Sequence, residues 1–394
     1  MWLPMPWREA PVSFDRRTFM SGGAAATVAS ALGASTGFSA PTHAAVVAPA
    51  ASERGQMADA VAGFMKTYEI PGLGIAFVRE GRLVYDEAFG FADIAARTTL
   101  TPAHRFRICS ISKPITSVTI FKLIEEGRLA LGDRVFGSSG ILQNDYGPVP
   151  KDSRIDDITI EHLLTHTSGG WPNDRTDPML RQTELDHATL ISTTLRQQPL
   201  ATAPGTAFAY SNFGYCLLGR VIEKVTQRPY AAFVNAAILS RAGATDMEIA
   251  GNTLAERQPR EVRYYGIGKD DPYALNVRRM DSHGGWLARP AAIAAFASGV
   301  DGFSRPSILK RGTIDTMTTP SPANANYAKG WRVNGNNNWW HTGHLPGSSG
   351  IMVRTHSQFC WAALLNTRHR DDALDRDLDR LMWTIARKVK DWHA

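Results

Sequence analysis

Residues 106–116, with the sequence FRICSISKPIT, hold the pattern on which the interpretation of the whole chain depends. They contain a Ser-x-x-Lys tetrapeptide from Ser110 to Lys113, followed by apolar residues that predict a helix over 115–126. If Ser110 opens this helix, Lys113 lies one turn later on the same face, and its amine can reach the serine oxygen. A serine hydroxyl becomes a good nucleophile only when a neighbouring group removes its proton. The segment therefore predicts a nucleophilic serine with a lysine partner.

Two other stretches could in principle supply a serine nucleophile. A second Ser-x-x-Lys, from Ser307 to Lys310, follows a proline and precedes Arg-Gly, as the exposed start of a surface helix would. The Gly-x-Ser-x-Gly over 33–37 resembles the nucleophile elbow of α/β-hydrolases, but it lacks the strand-turn-helix context. It also lies inside a predicted signal peptide. The context therefore favours Ser110.

Two later motifs contain the groups that a serine nucleophile needs. Tyr210-Ser211-Asn212 is the only Tyr-x-Asn in the chain. A phenol near an ammonium can have its pKa lowered, and we expect Tyr210 to shuttle protons in this way. Residues 341–344, His-Thr-Gly-His, end an apparent strand. A strand edge with Thr-Gly offers backbone N–H groups at close approach, which suits an oxyanion or an acyl substrate.

In this order, the three motifs resemble those of the serine β-lactamase and penicillin-binding-protein family. The resemblance is closest to class C β-lactamases and to the esterases and D-aminopeptidases that share their fold. Residues 158–169 and 204–219 are also similar to family segments, so the resemblance covers essentially the whole chain after residue 44. It implies an α+β, β-lactamase-like fold, in which an antiparallel sheet from both chain ends is flanked by terminal helices. A mainly helical region is inserted into it.

The resemblance also implies a covalent acyl-enzyme mechanism and a role for each motif. Ser110 is the expected nucleophile, and Lys113 is expected to help deprotonate it. Tyr210 would exchange protons with Ser110 and the leaving group. Asn212 would orient the substrate through its side-chain amide, and the backbone N–H groups of Ser110 and His344 would form the oxyanion hole. No metal or other cofactor is implied.

The third motif departs from the family pattern. Lactamases and transpeptidases usually have Lys-Thr-Gly, whereas this chain has His341, Thr342 and Gly343. The family's lysine helps to hold the substrate carboxylate, and a histidine is mostly neutral at pH 7. We expect His341 and Gly343 to contact substrate, and the histidine favours an esterase, because esterases and peptidases of the family often carry it. Two alternatives stay open, namely a D-amino-acyl peptidase or β-lactamase acting on amides, and a non-catalytic binding protein for cell-wall peptides.

Periodicity alone predicts an architecture that agrees with this resemblance. Two apolar runs on either side of Glu80-Gly81-Arg82 predict a β-hairpin near the beginning of the chain, after an amphipathic helix. Successive strands and a last amphipathic helix are predicted in the final quarter. We expect residues 45–105 and 325–394 to form the sheet region and residues 106–324 to be mainly helical. The strands predicted near the end of the chain cover residues 330–333, 338–342, 350–354 and 359–365.

The first 44 residues are expected to be a signal peptide of the twin-arginine type. Arg16 and Arg17 are followed one residue later by Phe19, and a weakly apolar stretch runs over 21–38. Cleavage after Ala44 would leave residues 45–394 as a single β-lactamase-like domain. The predicted location is periplasmic or secreted.

Composition limits the classes of function. The chain has 394 residues, a net charge of +6 and 43% hydrophobic residues, which exclude a disordered or collagen-like chain. No Lys/Arg stripe with interleaved aromatic residues occurs, so we expect no nucleic-acid partner. No apolar run after the signal is long enough to span a membrane, so we expect no stable membrane insertion of the mature chain. The expected partner is a small-molecule or short-peptide acyl substrate, and the oligomeric state stays open.

Several further residues allow more than one interpretation. His162 and His166 have metal-ligand spacing on a helix, but no third ligand accompanies them, so packing and turn stabilisation are favoured. Cys109, beside the predicted nucleophile, is expected to be a small buried residue. His283 is placed in the cleft only as a guess. The tryptophans that could line an acyl pocket or belong to the core are Trp171, Trp286, Trp339 and Trp340.

Overall fold

The computed structural model describes residues 49–150, 153–303, 306–369, 373–389 and 392. The described residues all belong to one compact unit, Ala45–Ala394. The predicted signal peptide, including its arginine pair and the Gly-x-Ser-x-Gly, lies outside the described residues. In the part of the chain that is described, no helix has both the length and the apolar character needed to cross a membrane.

Two antiparallel sheets are present in the described chain. Their strands are, in chain order, β1 (Gly72–Arg79), β2 (Arg82–Asp93), β3 (Thr98–Thr99), β4 (Phe106–Arg107), β5 (Glu248–Ile249), β6 (Trp286–Ala288), β7 (Arg332–Val333), β8 (Trp339–Leu345), β9 (Ser348–Arg354) and β10 (Phe359–Leu365). The large sheet has the order β3-β2-β1-β10-β9-β8-β7, and the small sheet has the order β4-β6-β5. The expected antiparallel sheet from both chain ends is therefore confirmed.

Strand β1 joins the two ends of the chain at the centre of the large sheet. It pairs with β2 through a two-residue turn in which Glu80 has φ +50° and Gly81 has φ +81°. Positive φ at both positions matches a type I′ turn, whose twist suits a hairpin. On its other side β1 pairs with β10 along its length, from Leu73 opposite Leu365 onward. The hairpin predicted from the sequence thus supplies the edge on which the C-terminal strands assemble.

The helices of the described chain lie between and around these strands. They are α1 (Ala51–Thr67), α2 (Ser112–Glu125), α3 (Ile160–Leu164), α4 (Pro178–Arg181), α5 (His187–Gln197), α6 (Asn212–Thr226), α7 (Tyr230–Val234), α8 (Pro290–Gly299), α9 (Arg311–Thr318) and α10 (Ala373–Lys388). Helices α4 and α5 are separate, because Asp177 and Asp186 each accept a backbone N–H and so begin a helix of their own.

Both faces of the large sheet are covered, which explains why β1, β9 and β10 are buried almost throughout. On one face Trp361 of β10 contacts Trp383 of α10, and α10 packs on α1. On the other face Gly74 of β1 faces Pro290 at the start of α8. The terminal helices were predicted in this role. Helix α8, however, packs on the sheet from within the region that was expected to be an insertion.

The small sheet was not predicted, because its strands of two or three residues are too short to show periodicity. It nevertheless fixes the chain just before Ser110. Phe106 and Arg107 of β4 pair with β6, and the N–H of Ile108 donates to the carbonyl of Trp286 at 2.9 Å. The Arg107 side chain is buried and donates to backbone carbonyl groups, which anchors this segment further.

Glycine substitutions test the difference between a free and a packed glycine. Gly55 and Gly63 lie inside α1, where an added Cβ would meet no atom within 4 Å. Gly55→Ala and Gly63→Ala should each stabilise the fold by about 0.5–1 kcal/mol, because alanine loses less backbone entropy in a helix. Gly74→Ala should destabilise it by about 1–3 kcal/mol, because its Cβ would lie 2.9 Å from Pro290 Cγ. Urea unfolding measures all three, and equal effects at positions 55 and 74 would contradict this packing.

Candidate active site

Ser110 lies in a 3₁₀ turn, Cys109–Ile111, that leads directly into helix α2. Cys109 has φ +53°, an uncommon conformation for a residue with a side chain, and it turns the chain from β4 into the helix. Its thiol is buried, and burial raises its pKa to about 11, so it is a poor rival nucleophile. The expectation that Cys109 is a small buried residue is confirmed, and Cys216 and Cys360 are also free and buried.

Lys113 lies in the first turn of α2 with a fully buried side chain. Its Nζ is 3.1 Å from Ser110 Oγ, 2.7 Å from Asn212 Oδ1 and 3.0 Å from the His283 carbonyl oxygen. Burial lowers the Lys113 pKa to about 7, although the negative charge of Asp177 acts in the opposite direction. A neutral amine has two N–H donors and one lone pair. The two donors match the two carbonyl oxygens, which leaves the lone pair facing the serine hydroxyl.

A buried carboxylate fixes the side chain that holds Lys113. Asp177 Oδ2 accepts from Asn212 Nδ2 at 2.7 Å, and Asn173 Oδ1 accepts from the same nitrogen at 3.0 Å. Because both partners are acceptors, the Asn212 amide nitrogen must face them and its oxygen must face Lys113. Burial raises the Asp177 pKa to about 6, while hydrogen bonds from Asn212 and from the Met179 N–H oppose this effect. Both amide N–H groups of Asn212 are thus used within the protein, and its predicted contact with substrate stays a prediction.

Tyr210 lies beside this pair, but its ionisation differs from the expectation. The Lys113 Nζ is 4.7 Å from the centre of the Tyr210 ring, a cation–π geometry. The hydroxyl is buried beside Ser110 and forms no hydrogen bond of normal geometry with the described residues. Burial raises the pKa of Tyr210, and the neighbouring Ser110 and Arg332 offset this only in part. The sequence-based expectation of a lowered phenol pKa is therefore wrong, because desolvation outweighs the effects of Ser110 and Arg332.

The third motif lies on β8 against the nucleophile turn. A Cβ at Gly343 would be 2.3 Å from the Ile108 carbonyl oxygen and 3.2 Å from the Ser110 nitrogen, so only glycine allows this approach. The next residue, His344, follows on the same strand, and its imidazole contacts Asp375 of α10 at 2.8 Å. The structure therefore brings the two predicted oxyanion-hole residues close together. Their N–H groups as an oxyanion hole stay a prediction.

His341 is buried and makes its contacts within the protein. Its Nδ1 lies 2.6 Å from the Thr342 carbonyl oxygen, and its Nε2 lies 3.2 Å from the Tyr327 hydroxyl. Burial and the charge of Lys113 hold the His341 pKa well below its usual range. The ring is therefore neutral at pH 7, and it supplies no fixed charge in place of the family's lysine.

An open cavity of about 610 Å³ joins these groups. Its lining includes the predicted site residues Ser110, Tyr210, Asn212, His341 and His344, whereas Lys113 lies beneath them. Two cations, Arg332 and Arg368, also line the cavity and bring positive charge to its wall. None of the four candidate tryptophans lines it, and three of them are buried in the core, namely Trp171, Trp286 and Trp339.

Several site residues had no clear signal in the sequence. His166 was assigned to packing, yet its ring lies 4.2 Å from that of Tyr210. The only sequence signal at Asp177 is an Asp-Pro pair typical of a helix start, and the sequence around Tyr327 contains no motif that indicates a functional role. The guess for His283 has support, because it lines the cavity and its carbonyl accepts from Lys113.

The other candidate motifs lie elsewhere. Lys310 of the second Ser-x-x-Lys is exposed just before α9, in agreement with a surface helix. His162 receives the Thr159 N–H at 3.2 Å and caps α3. Within the described ranges, no three His, Cys, Asp or Glu side chains are arranged to hold a metal ion.

The ionisation of Lys113 can be measured without any substrate. In protein carrying ¹³C-labelled lysine, one Cε resonance should titrate near pH 7 and should be missing in Lys113→Met. Asp177→Asn should move this midpoint to lower pH, because the carboxylate favours the ammonium. Asp174→Asn, an exposed change in the same loop, is the matched control and should leave the midpoint unchanged. A wild-type midpoint near 10 would contradict the assignment of a neutral amine.

Comparison with known proteins places this geometry in a family. A family model described as Beta-lactamase matches residues 57–382. The chain is similar to Protein flp of Staphylococcus aureus (strain COL), with 26% identity over 302 residues that cover 72% of this chain and 57% of that protein. The chain thus spans a little over half the length of that relative.

An esterase and an amidase are among the similar proteins. Esterase EstB of Burkholderia gladioli is 32% identical over 210 residues, which cover 50% of each chain. The crystal structure of D-amino acid amidase from Ochrobactrum anthropi SV3 matches with a TM-score of 0.68 and 20% identity over 84% of this chain and 99% of that one, which shows a shared fold. Because the family model matches well over half of its residues, this chain belongs to the Beta-lactamase family of serine hydrolases.

Proposed function

We propose that the protein hydrolyses carboxylic esters through an acyl-enzyme on Ser110. The observation that supports this most strongly is the contact of 3.1 Å between Ser110 Oγ and the buried amine of Lys113. An amine with a pKa of about 7 is unprotonated in a large share of molecules at neutral pH and can act as a general base. Tyr210, whose pKa is raised by burial, remains a phenol and can act as a proton donor.

In the first half of the proposed reaction, Ser110 Oγ attacks the carbonyl carbon while its proton moves to the lone pair of Lys113. Negative charge develops on the carbonyl oxygen, and the N–H groups of Ser110 and His344 stabilise it. The bond to the leaving oxygen then breaks as Tyr210 donates its proton to that oxygen. The Lys113 ammonium returns a proton to Tyr210, so both groups regain their starting form.

In the second half, water attacks the acyl carbon and passes its proton to Lys113. Collapse of the second tetrahedral intermediate releases the carboxylic acid, and the proton returns to Ser110 Oγ. Each half therefore uses Lys113 once as a base and once as an acid. Asn212 keeps the amine in place during both steps, because its amide oxygen is 2.7 Å from Lys113 Nζ.

The preference for esters is supported by the third motif. His341 is neutral and already bonded to protein groups, so it supplies no charge for a substrate carboxylate. Esters also need less activation of the leaving group than amides do. The similarity to Esterase EstB agrees with this preference.

A second candidate is hydrolysis of an amide, in a D-amino-acyl peptide or a β-lactam. The observation that favours it is a pair of cations, Arg332 and Arg368, that line the cavity. Both guanidinium groups lie on the wall of the cavity, where they could pair with the carboxylate of an acidic acyl donor. A chromogenic cephalosporin carries such a carboxylate, and its turnover relative to a neutral ester decides between the two classes.

Mass spectrometry combined with an ester assay tests the proposal directly. Mixing the protein with p-nitrophenyl butyrate should release nitrophenolate and add one butyryl group, and Ser110→Ala should show neither. The rate should rise with pH through about 7, because Lys113 must lose its proton before it can act as a base. Equal release by Ser110→Ala would refute the nucleophile. Faster turnover of a chromogenic cephalosporin would favour the amide candidate, and binding without turnover would favour a binding protein.

We also propose that the protein is exported by a twin-arginine signal. The support is the Arg16-Arg17 pair with its apolar stretch and the small residue at Ala44. Protein recovered from the cell envelope should have a mass that begins near Ala45. Replacing both arginines by lysine should leave the full-length chain in the cytoplasm. Full-length protein in the envelope would contradict cleavage, and unchanged export of the double variant would contradict the signal type.

A further inference from the structure

Three buried rings form a continuous chain of hydrogen bonds next to Tyr210. The Tyr327 hydroxyl lies 3.1 Å from His166 Nε2 and 3.2 Å from His341 Nε2. At one end of the chain, His166 Nδ1 lies 3.1 Å from the backbone nitrogen of Ser211. At the other end, His341 Nδ1 lies 2.6 Å from the carbonyl oxygen of its own neighbour on β8. This chain of hydrogen bonds therefore connects the second motif, at Ser211, with the third motif, at His341.

The two ends of this chain leave only one order for its protons. The Ser211 N–H can only donate, so His166 Nδ1 must accept, and the proton of a neutral His166 lies on Nε2. The Thr342 carbonyl can only accept, so His341 Nδ1 must carry a proton and Nε2 must accept. Tyr327 then accepts from His166 and donates to His341. The two histidines are opposite tautomers, and every donor in the chain has an acceptor.

Burial keeps both histidines neutral, and the charges around the hydrogen-bonded rings act in the same direction. Lys113 and Arg332 act on His166 and on His341, and His344 acts on His341, all in the direction that disfavours an added proton. The other ionisable groups packed on the His166 ring are phenols, among them Tyr215 with a ring distance of 5.0 Å. A proton added to His166 would make its Nδ1 a donor facing the Ser211 N–H, and a proton added to His341 would make its Nε2 a donor facing the Tyr327 hydroxyl.

We propose that Tyr327 is a positioning residue that joins the Tyr210–Ser211 backbone to the third motif, and that it requires a hydrogen-bond acceptor at position 341. A lysine at position 341 would offer Tyr327 a second donor, and the phenolic proton would lose its acceptor. Such a buried unpaired donor is costly. The proposal gives a physical reason for the histidine at the position where lactamases and transpeptidases usually have lysine, and its activity readout rests on the proposed function.

The proton order is testable without substrate. In ¹⁵N-labelled protein near pH 8, imidazole spectra should assign the Nε2–H form to His166 and the Nδ1–H form to His341. His166→Gln and His341→Gln identify the two sets of signals. If both histidines have the same tautomer, or if either is charged at this pH, the proposed order of protons is wrong.

A double-mutant cycle tests the positioning role. Tyr327→Phe should lower kcat for p-nitrophenyl butyrate by about 10- to 100-fold, with little change in KM, because Tyr327 acts through Tyr210 and not on the substrate. His341→Lys should cause a similar loss, and Tyr327→Phe should cost less than about twofold in that background. His341→Gln retains an acceptor oxygen and should keep most of the activity. Equal losses from Tyr327→Phe in both backgrounds would overturn the proposal.

Two controls separate the possible failures. Tyr230→Phe removes another buried hydroxyl, bonded to Thr116 at 2.6 Å, and should leave kcat within about twofold. When the same four proteins are compared by their melting temperatures in thermal unfolding, positions 327 and 341 should show the same coupling. If the wild type hydrolyses no acyl donor, the proposed function fails, but the tautomers and the unfolding cycle still decide the inference. Additive shifts in melting temperature would reject the inference, and so would the same tautomer on His166 and His341.

Discussion

Burial of the Lys113 amine is the constraint on which the chemistry of this site depends. The amine has no access to solvent, and its three partners are neutral oxygens of Ser110, Asn212 and His283. A full charge is poorly stabilised in such surroundings, so the pKa falls to about 7. The carboxylate of Asp177 lies one amide further away and keeps the pKa from falling more. An amine that is unprotonated in a large share of molecules near pH 7 results from this balance between desolvation and one indirect charge.

The neighbouring phenol and imidazoles follow the same rule, because burial disfavours their charged forms. Tyr210 stays a phenol, and His166 and His341 stay unprotonated. Fixed positive charge remains on Arg332 and Arg368 at the cavity. In the proposed reaction, an oxyanion at Ser110 would meet oriented N–H groups and this positive charge, and among the described residues the only carboxylate on the cavity wall is that of Asp174, at its rim. Under the proposed function, such surroundings would favour an anionic transition state over the neutral ester.

The scaffold brings these groups together from distant parts of the chain. The turn with Ser110 is fixed by the small sheet, whereas Gly343 and His341 belong to a strand of the large sheet. The absence of a side chain at Gly343 lets that strand touch the turn. Asp177 and Tyr327 come from loops between helices and strands. The hairpin at the beginning of the chain anchors the last strands, so it determines the position of the third motif without contributing a residue to the site.

The sequence by itself determined the sheet, its terminal helices and the three motifs, because periodicity and short spacings are local properties. It also indicated that the Lys113 amine, one turn further along the chain, can reach the Ser110 oxygen. Only the tertiary structure decided the roles of Asp177 and Tyr327, which contact residues far away in the chain. It also reversed the expected shift of the Tyr210 pKa. The reason is physical, since a pKa and a hydrogen-bond direction depend on burial and on partners, and both arise only when distant segments pack together.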